Sequence, residues 1–167
     1  MTPTPNGRLL TTTDGLDLVL TRRIRGGIDD VWASITESER TTRWFGRWEG
    51  PTGSGAAIRV QMTFEEGAGW SDAVIESCEP PHRLALAVSD EAGGWFIEVR
   101  LAAAGEHTDL TFVQHRLGAD GVGDIGPGWE YYLDQLIASR ESQPLPSFDD
   151  YHPSMSAYYT DQVAALS

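Results

Sequence analysis

Cysteine is nearly absent from this chain: Cys78 is the single one in 167 residues. An internal disulfide is therefore excluded, as is a thiolate metal cluster, and the composition fits a reducing cytoplasm. Positive charge is also scarce, with 12 Lys and Arg against 25 Asp and Glu and a net charge of −13. A surface that tracks phosphates needs clustered cations, so neither nucleic acid nor an anionic membrane is an expected partner. The acidity is read as maintaining solubility. No apolar run approaches the roughly 20 residues that cross a bilayer. The start, Met1-Thr2-Pro3-Thr4-Pro5-Asn6-Gly7, has neither the basic nor the apolar region of a signal peptide. Missing too are a Gly-x-Ser-x-Gly elbow, a cysteine grouped with a histidine, and any internal repeat. The glycine-rich stretch 118–128 is acidic and lacks the Lys-Ser/Thr ending of a phosphate loop.

What is present is a single globular domain's worth of hydrophobic residues, 40% of the chain with 10% aromatic. Leu16, Leu18 and Leu20 alternate with Asp17, Val19 and Thr21 as in a half-buried strand. Asp29 or Asp30 is expected to cap a helix in which Val31, Trp32 and Ile35 share a face, and residues 38–43 read as a second helical turn. Four strands and a last one follow: Ile58 to Phe64, Trp70 to Cys78, Leu84 to Val88, Trp95 to Leu101, and Leu110 to Gln114. Turn residues punctuate them at Gly67-Ala68-Gly69, Pro80-Pro81, Asp90 to Gly94 and Ala104-Gly105-Glu106. Such short spacing predicts an antiparallel meander with one wet and one buried face. Residues 118–128 read as a mobile loop, with Pro127 as the first residue of a helix whose stripe is Trp129, Tyr132, Leu133, Leu136 and Ile137. Pro144 and Pro146 end it, and a last amphipathic turn starts near Ser154. The expected division is a disordered lead-in at 1–8, one domain at 9–143 and a helical C-terminal extension at 144–167.

The order of these elements and their landmark residues resembles the activator of heat-shock-protein-90 ATPase homologue family. The landmarks are Val31-Trp32, Trp44, Val74 to Glu76, Pro80-Pro81, Leu84, Thr108-x-Leu110-Thr111-Phe112, and Gly128-Trp129 with Leu133 and Leu136. That family lies in the START/SRPBCC superfamily. The resemblance implies the α+β helix-grip (Bet v 1-like) fold, a curved antiparallel sheet wrapped around a long C-terminal helix with a cavity between them. It does not imply an activity, because the superfamily mixes carriers, cyclases and co-chaperone domains.

On a concave strand face, Met62, Trp95, Phe112, Trp129, Tyr132 and Leu133 would border that space, with Trp44 and Trp70 nearer the mouth and Gln114 as an inward polar contact. The alternative is that these side chains fill the core completely. The strand around residue 74 has two phases. In one, Asp72 and Glu76 are desolvated pocket acids; in the other, which is favoured, Ala73 and Ile75 face inward and both acids are surface charges. Asp149-Asp150-Tyr151-His152 lacks a fourth ligand, so neither a metal nor a cofactor is expected. The first reading of function is a cytoplasmic, non-catalytic binding protein that encloses a small apolar molecule. A protein-interaction module or homodimer is second, and a cyclase- or hydrolase-type enzyme using a pocket carboxylate is third.

Overall fold

The computed structural model describes residues 3–65, 67–89 and 94–166. Its framework is one eight-stranded antiparallel sheet in the order β1-β2-β8-β7-β6-β5-β4-β3. The strands are β1 (Arg8–Thr12), β2 (Gly15–Arg25), β3 (Arg47–Glu49), β4 (Ala57–Gln61), β5 (Ser71–Glu79), β6 (Arg83–Val88), β7 (Trp95–Ala104) and β8 (His107–Leu117). Two helices, α1 (Ile28–Thr36) and α2 (Ser38–Thr41), carry the chain from β2 to the far edge at β3. The meander then returns strand by strand until β8 pairs with β2, placing Phe112 beside Leu20. α3 (Val122–Arg140) crosses the inner face, and α4 (Ser156–Leu166) packs on α3 and β1.

The period-2 reading holds where it matters most. Leu18, Leu20, Ile24, Leu110, Phe112 and Leu101 are buried together with Leu133 and Leu136 of α3. Each such side chain contributes about 1.5–3 kcal/mol when fully buried. The β5 phase is the favoured one: Ala73 and Ile75 are buried, while Asp72 and Glu76 are exposed. The expected turn at Asp90 to Gly94 lies outside the described residues except for Gly94.

Several expectations are corrected. α3 starts at Val122, so most of the stretch expected to be a mobile loop is a short 3-10 turn (Ala119–Gly121) and the first turns of the helix. Pro127 is inside that helix rather than at its start. A proline there removes the N–H that would reach back to the Gly123 carbonyl, and the Ser156 hydroxyl of α4 donates to that oxygen instead, at 2.7 Å. The expected cap on α1 is absent. Its N-cap is Gly27 with no side-chain bond, and Asp30 instead takes Arg40 and Arg140. β4 stops at Gln61, because Met62 and Phe64 continue the apolar alternation by packing on the main core rather than by pairing. The lead-in expected to be disordered is held from Asn6 onward, since the Asn6 and Gly7 amides donate to the Glu130 carboxylate.

The glycines at the start of α3 admit α4. A Cβ on Gly126 would sit 2.5 Å from the Tyr159 ring. Gly126→Ala is therefore expected to lower stability by about 1–3 kcal/mol through overpacking, although alanine is about 1 kcal/mol the better helix former. Urea unfolding checks this, and a stabilised variant would show that α4 yields freely.

Candidate functional site: an apolar cavity under α3

The inner face of the sheet and α3 do not meet everywhere. Between them lies a cavity of about 580 Å³. Ile58 and Val60 of β4, Ile75 and Cys78 of β5, and Leu84 and Leu86 of β6 form its floor. Ile97, Val99, Leu110 and Phe112 continue the floor on β7 and β8, while Trp129 and Leu133 hang from α3. Trp32 and Ile35 of α1, with Trp44, Phe45 and Trp48, close the remaining side. A bulge between Ile75 and Ser77 shifts the strand register, which is why Ile75 and Cys78, three positions apart, reach the same space.

The polar groups on these walls are mostly spent within the protein. The Trp44 indole N–H donates to the Ser34 carbonyl, and that of Trp48 to the Thr36 carbonyl, each at 2.9 Å. The Trp129 N–H donates to Gln114 Oε1 at 2.7 Å. Thr36 and Thr41 hydroxyls donate to carbonyls of their own helical turns. Among the described residues, the charged ones on the lining are Glu37 and Arg47, both exposed. A guest would meet hydrocarbon and ring faces inside, and ionic groups only where solvent also reaches.

The residues singled out from sequence divide. Trp44, Phe112, Trp129 and Leu133 border the cavity. Gln114 is buried but engaged with Trp129. Tyr132 and Trp95 back the Trp129 ring from 5.6 and 6.0 Å, and Met62 packs against the same core, so these three support the wall without lining it. Trp70 lies outside, with the Arg47 and Arg59 guanidiniums over its ring at 5.0 and 4.9 Å. Asp72 and Glu76 do not reach the cavity either. The missed aliphatic floor was legible as alternation. Cys78 was not, because a bulge leaves no mark in composition. Among the described residues no group of three or more His, Cys, Asp or Glu gathers as a metal site, and His152 contacts Asp124 instead.

A buried acid does exist, on the outer face of the sheet. Glu98 accepts from Arg83 at 2.6 Å, Arg100 at 2.7 Å and His115 at 3.0 Å. Burial alone would raise its pKa, but these three donors outweigh burial and hold it down at about 2. It is a structural anchor of the outer face, remote from the cavity.

A sheet closed around one long helix, entered by a two-helix connection, is the arrangement seen in a known family. The profile described as activator of Hsp90 ATPase homolog 1-like protein matches residues 27–139, from just before α1 to the last turn of α3. The chain belongs to this family. Its fold is the helix-grip fold, and solved structures agree. The crystal structure of CalU16 from Micromonospora echinospora is 23% identical, aligns 96% of this chain with 97% of its own and has a TM-score of 0.77. The protein encoded by gene BPP1335 from Bordetella parapertussis is 19% identical over 98% of this chain and 91% of its own, with a TM-score of 0.71. DynU16, described as a putative protein in the dynemicin biosynthetic locus, is 24% identical with a TM-score of 0.67. That alignment covers 79% of this chain and 50% of DynU16. At these identities the likeness is one of fold. No curated protein matches the sequence. Among the described residues no helix is long and apolar enough to cross a membrane.

Proposed function

We propose that this family member is a non-catalytic binding protein that encloses a small, mostly apolar molecule between the sheet and α3. The observation that carries this is the cavity itself. Its roughly 580 Å³ falls within the size range of small-molecule sites, and its walls are aromatic and aliphatic, with the indole donors of Trp44, Trp48 and Trp129 already engaged. Aromatic planes at Phe45, Phe112 and Trp129 favour a guest with a flat apolar body. A polar end would reach the exposed Arg47 and Glu37. The enzyme reading lacks the carboxylates it named, since Asp72 and Glu76 are exposed and outside the cavity, and Glu37 at its edge is exposed to solvent.

The test uses the dye 1-anilinonaphthalene-8-sulfonate and native mass spectrometry of the freshly purified protein. One dye per chain is expected, with slower alkylation of Cys78 when dye is present. Leu84→Trp, which narrows the cavity, is expected to weaken the dye by about tenfold or more, the scale of losing roughly 1.4 kcal/mol of contact. Unchanged dye affinity in that variant, with Cys78 still freely alkylated, would remove the cavity as the binding site.

A further inference from the structure

The strongly acidic composition conceals a local reversal of charge. All 12 cationic side chains in this chain are arginines, and three of them converge on one pocket of about 180 Å³. Asp30 and Ser34 of α1, Arg40 of α2, Arg43 just after it, Ser139 and Arg140 at the end of α3, and Ser142 line it. On α1, Asp30 and Ser34 lie on the helix face opposite Trp32, Ile35 and Thr36, so one helix separates the polar pocket from the apolar cavity.

Internal pairing does not account for this set. Asp30 takes Arg40 at 3.0 Å and Arg140 at 2.9 Å, which leaves one carboxylate lining the pocket against three guanidiniums. Glu37 touches Arg40 only at 3.9 Å and does not line the pocket. The Arg43 side chain has no hydrogen-bond or ion-pair partner among the described residues. Arg140 is spread over the Ser34 hydroxyl at 2.6 Å and the Arg25 carbonyl at 2.9 Å, yet its Nε is buried with no partner among the described residues. Asp30 bridges Arg40 and Arg140, and the remaining excess of positive charge favours a further anion in the pocket. Guanidinium forks and hydroxyls are the donors that suit a tetrahedral oxyanion. The space equals that of about six waters at roughly 30 Å³ each, enough for such an ion and little more.

We infer that the Arg40–Arg43–Arg140 pocket is an oxyanion site, made for inorganic phosphate or the phosphate group of a small organic monoester. It is separate from the apolar cavity, and its occupant would tie α1 and α2 to the end of α3. Binding therefore steadies one wall of the cavity without entering it.

The experiment titrates the whole protein with inorganic phosphate, and in a second arm with glycerol phosphate, by calorimetry and thermal unfolding. Sodium chloride is adjusted to keep ionic strength constant. Saturable binding near one ion per chain with a rise in melting temperature is expected. Arg43→Gln removes an exposed, unpaired side chain and leaves the fold intact, and it is expected to weaken phosphate by about tenfold, the scale of one charge-assisted hydrogen bond. Arg43→Lys is expected to recover part of that loss. Tighter binding of the monoester than of the free ion would assign the site to an organic phosphate, and the reverse to the ion itself. Absence of saturable binding in both arms, or equal affinity in wild type and Arg43→Gln, would overturn the inference. Dye binding in the apolar cavity is read separately, so either assignment can fail alone.

Discussion

Glu130→Ala is expected to lower the stability of the folded chain by about 3–5 kcal/mol, the usual result of removing one partner from a buried ion pair. Glu130 is fully buried in the middle of α3. It receives Arg22 at 2.8 Å, the Asn6 amide at 2.9 Å and the Gly7 amide at 3.2 Å, and the Tyr159 hydroxyl donates to it as well. Arg22, itself largely buried, also bonds Asp134 at 2.9 Å, and Asp134 accepts the Tyr151 hydroxyl at 2.7 Å. Burial pushes the Tyr159 and Tyr151 phenols up, and the adjoining carboxylates push them further, so both stay protonated donors. One carboxylate on α3 thus ties the N-terminal segment, β2 and α4 together. Alanine would leave a guanidinium short of charge and a hydroxyl and two amides without partners. Urea unfolding measures the loss. Hydrogen exchange should accelerate first at residues 6–9 and along α4. Arg22→Met combined with Glu130→Leu is expected to cost less than the two single changes summed. A loss below about 1 kcal/mol for Glu130→Ala would place the network among ordinary surface pairs.

Trp129→Ala is the second large effect, and it separates wall from core. The indole is 7% exposed and stands 4.2 Å from Phe112 and 6.1 Å from Phe45, ring centre to ring centre. Truncating a fully enclosed tryptophan costs about 3–5 kcal/mol. Trp129 borders empty space on one side, so its loss is expected to stop at about 2–3 kcal/mol, of which about 1 kcal/mol comes from orphaning the Gln114 amide oxygen. Dye affinity should fall at the same time, because the guest loses a ring face. A full 3–5 kcal/mol loss with dye binding unchanged would mean that Trp129 is packing alone.

Much of the architecture was legible from local pattern. Alternation at Leu18, Leu20, Leu110 and Phe112 marked buried strand faces, and the Trp129–Leu133–Leu136 stripe marked the helix that lies on them. Local rules misled where a distant residue replaced a local partner. The glycines before Pro127 looked like a loop, and Pro127 like a helix start, because nothing nearby in sequence shows that Ser156 satisfies the Gly123 carbonyl, or that Tyr159 needs the room at Gly126. Asp30 looked like a cap because its partners, Arg40 and Arg140, lie in other helices.

The landmark residues carried the family resemblance that implied the fold, and the sequence by itself determined the order of elements, which face of most strands is apolar, and the exclusion of an internal disulfide. Those properties depend on side-chain period and composition, which are local. Only the tertiary structure decided which aromatics enclose space and which fill it. Trp129 borders the cavity while Trp70 is held outside against two guanidiniums. It also decided that Cys78 faces inward and that three arginines meet in an otherwise acidic chain. These outcomes rest on strand register, one bulge and contacts between distant segments, and hydrophobic period carries no information about any of them.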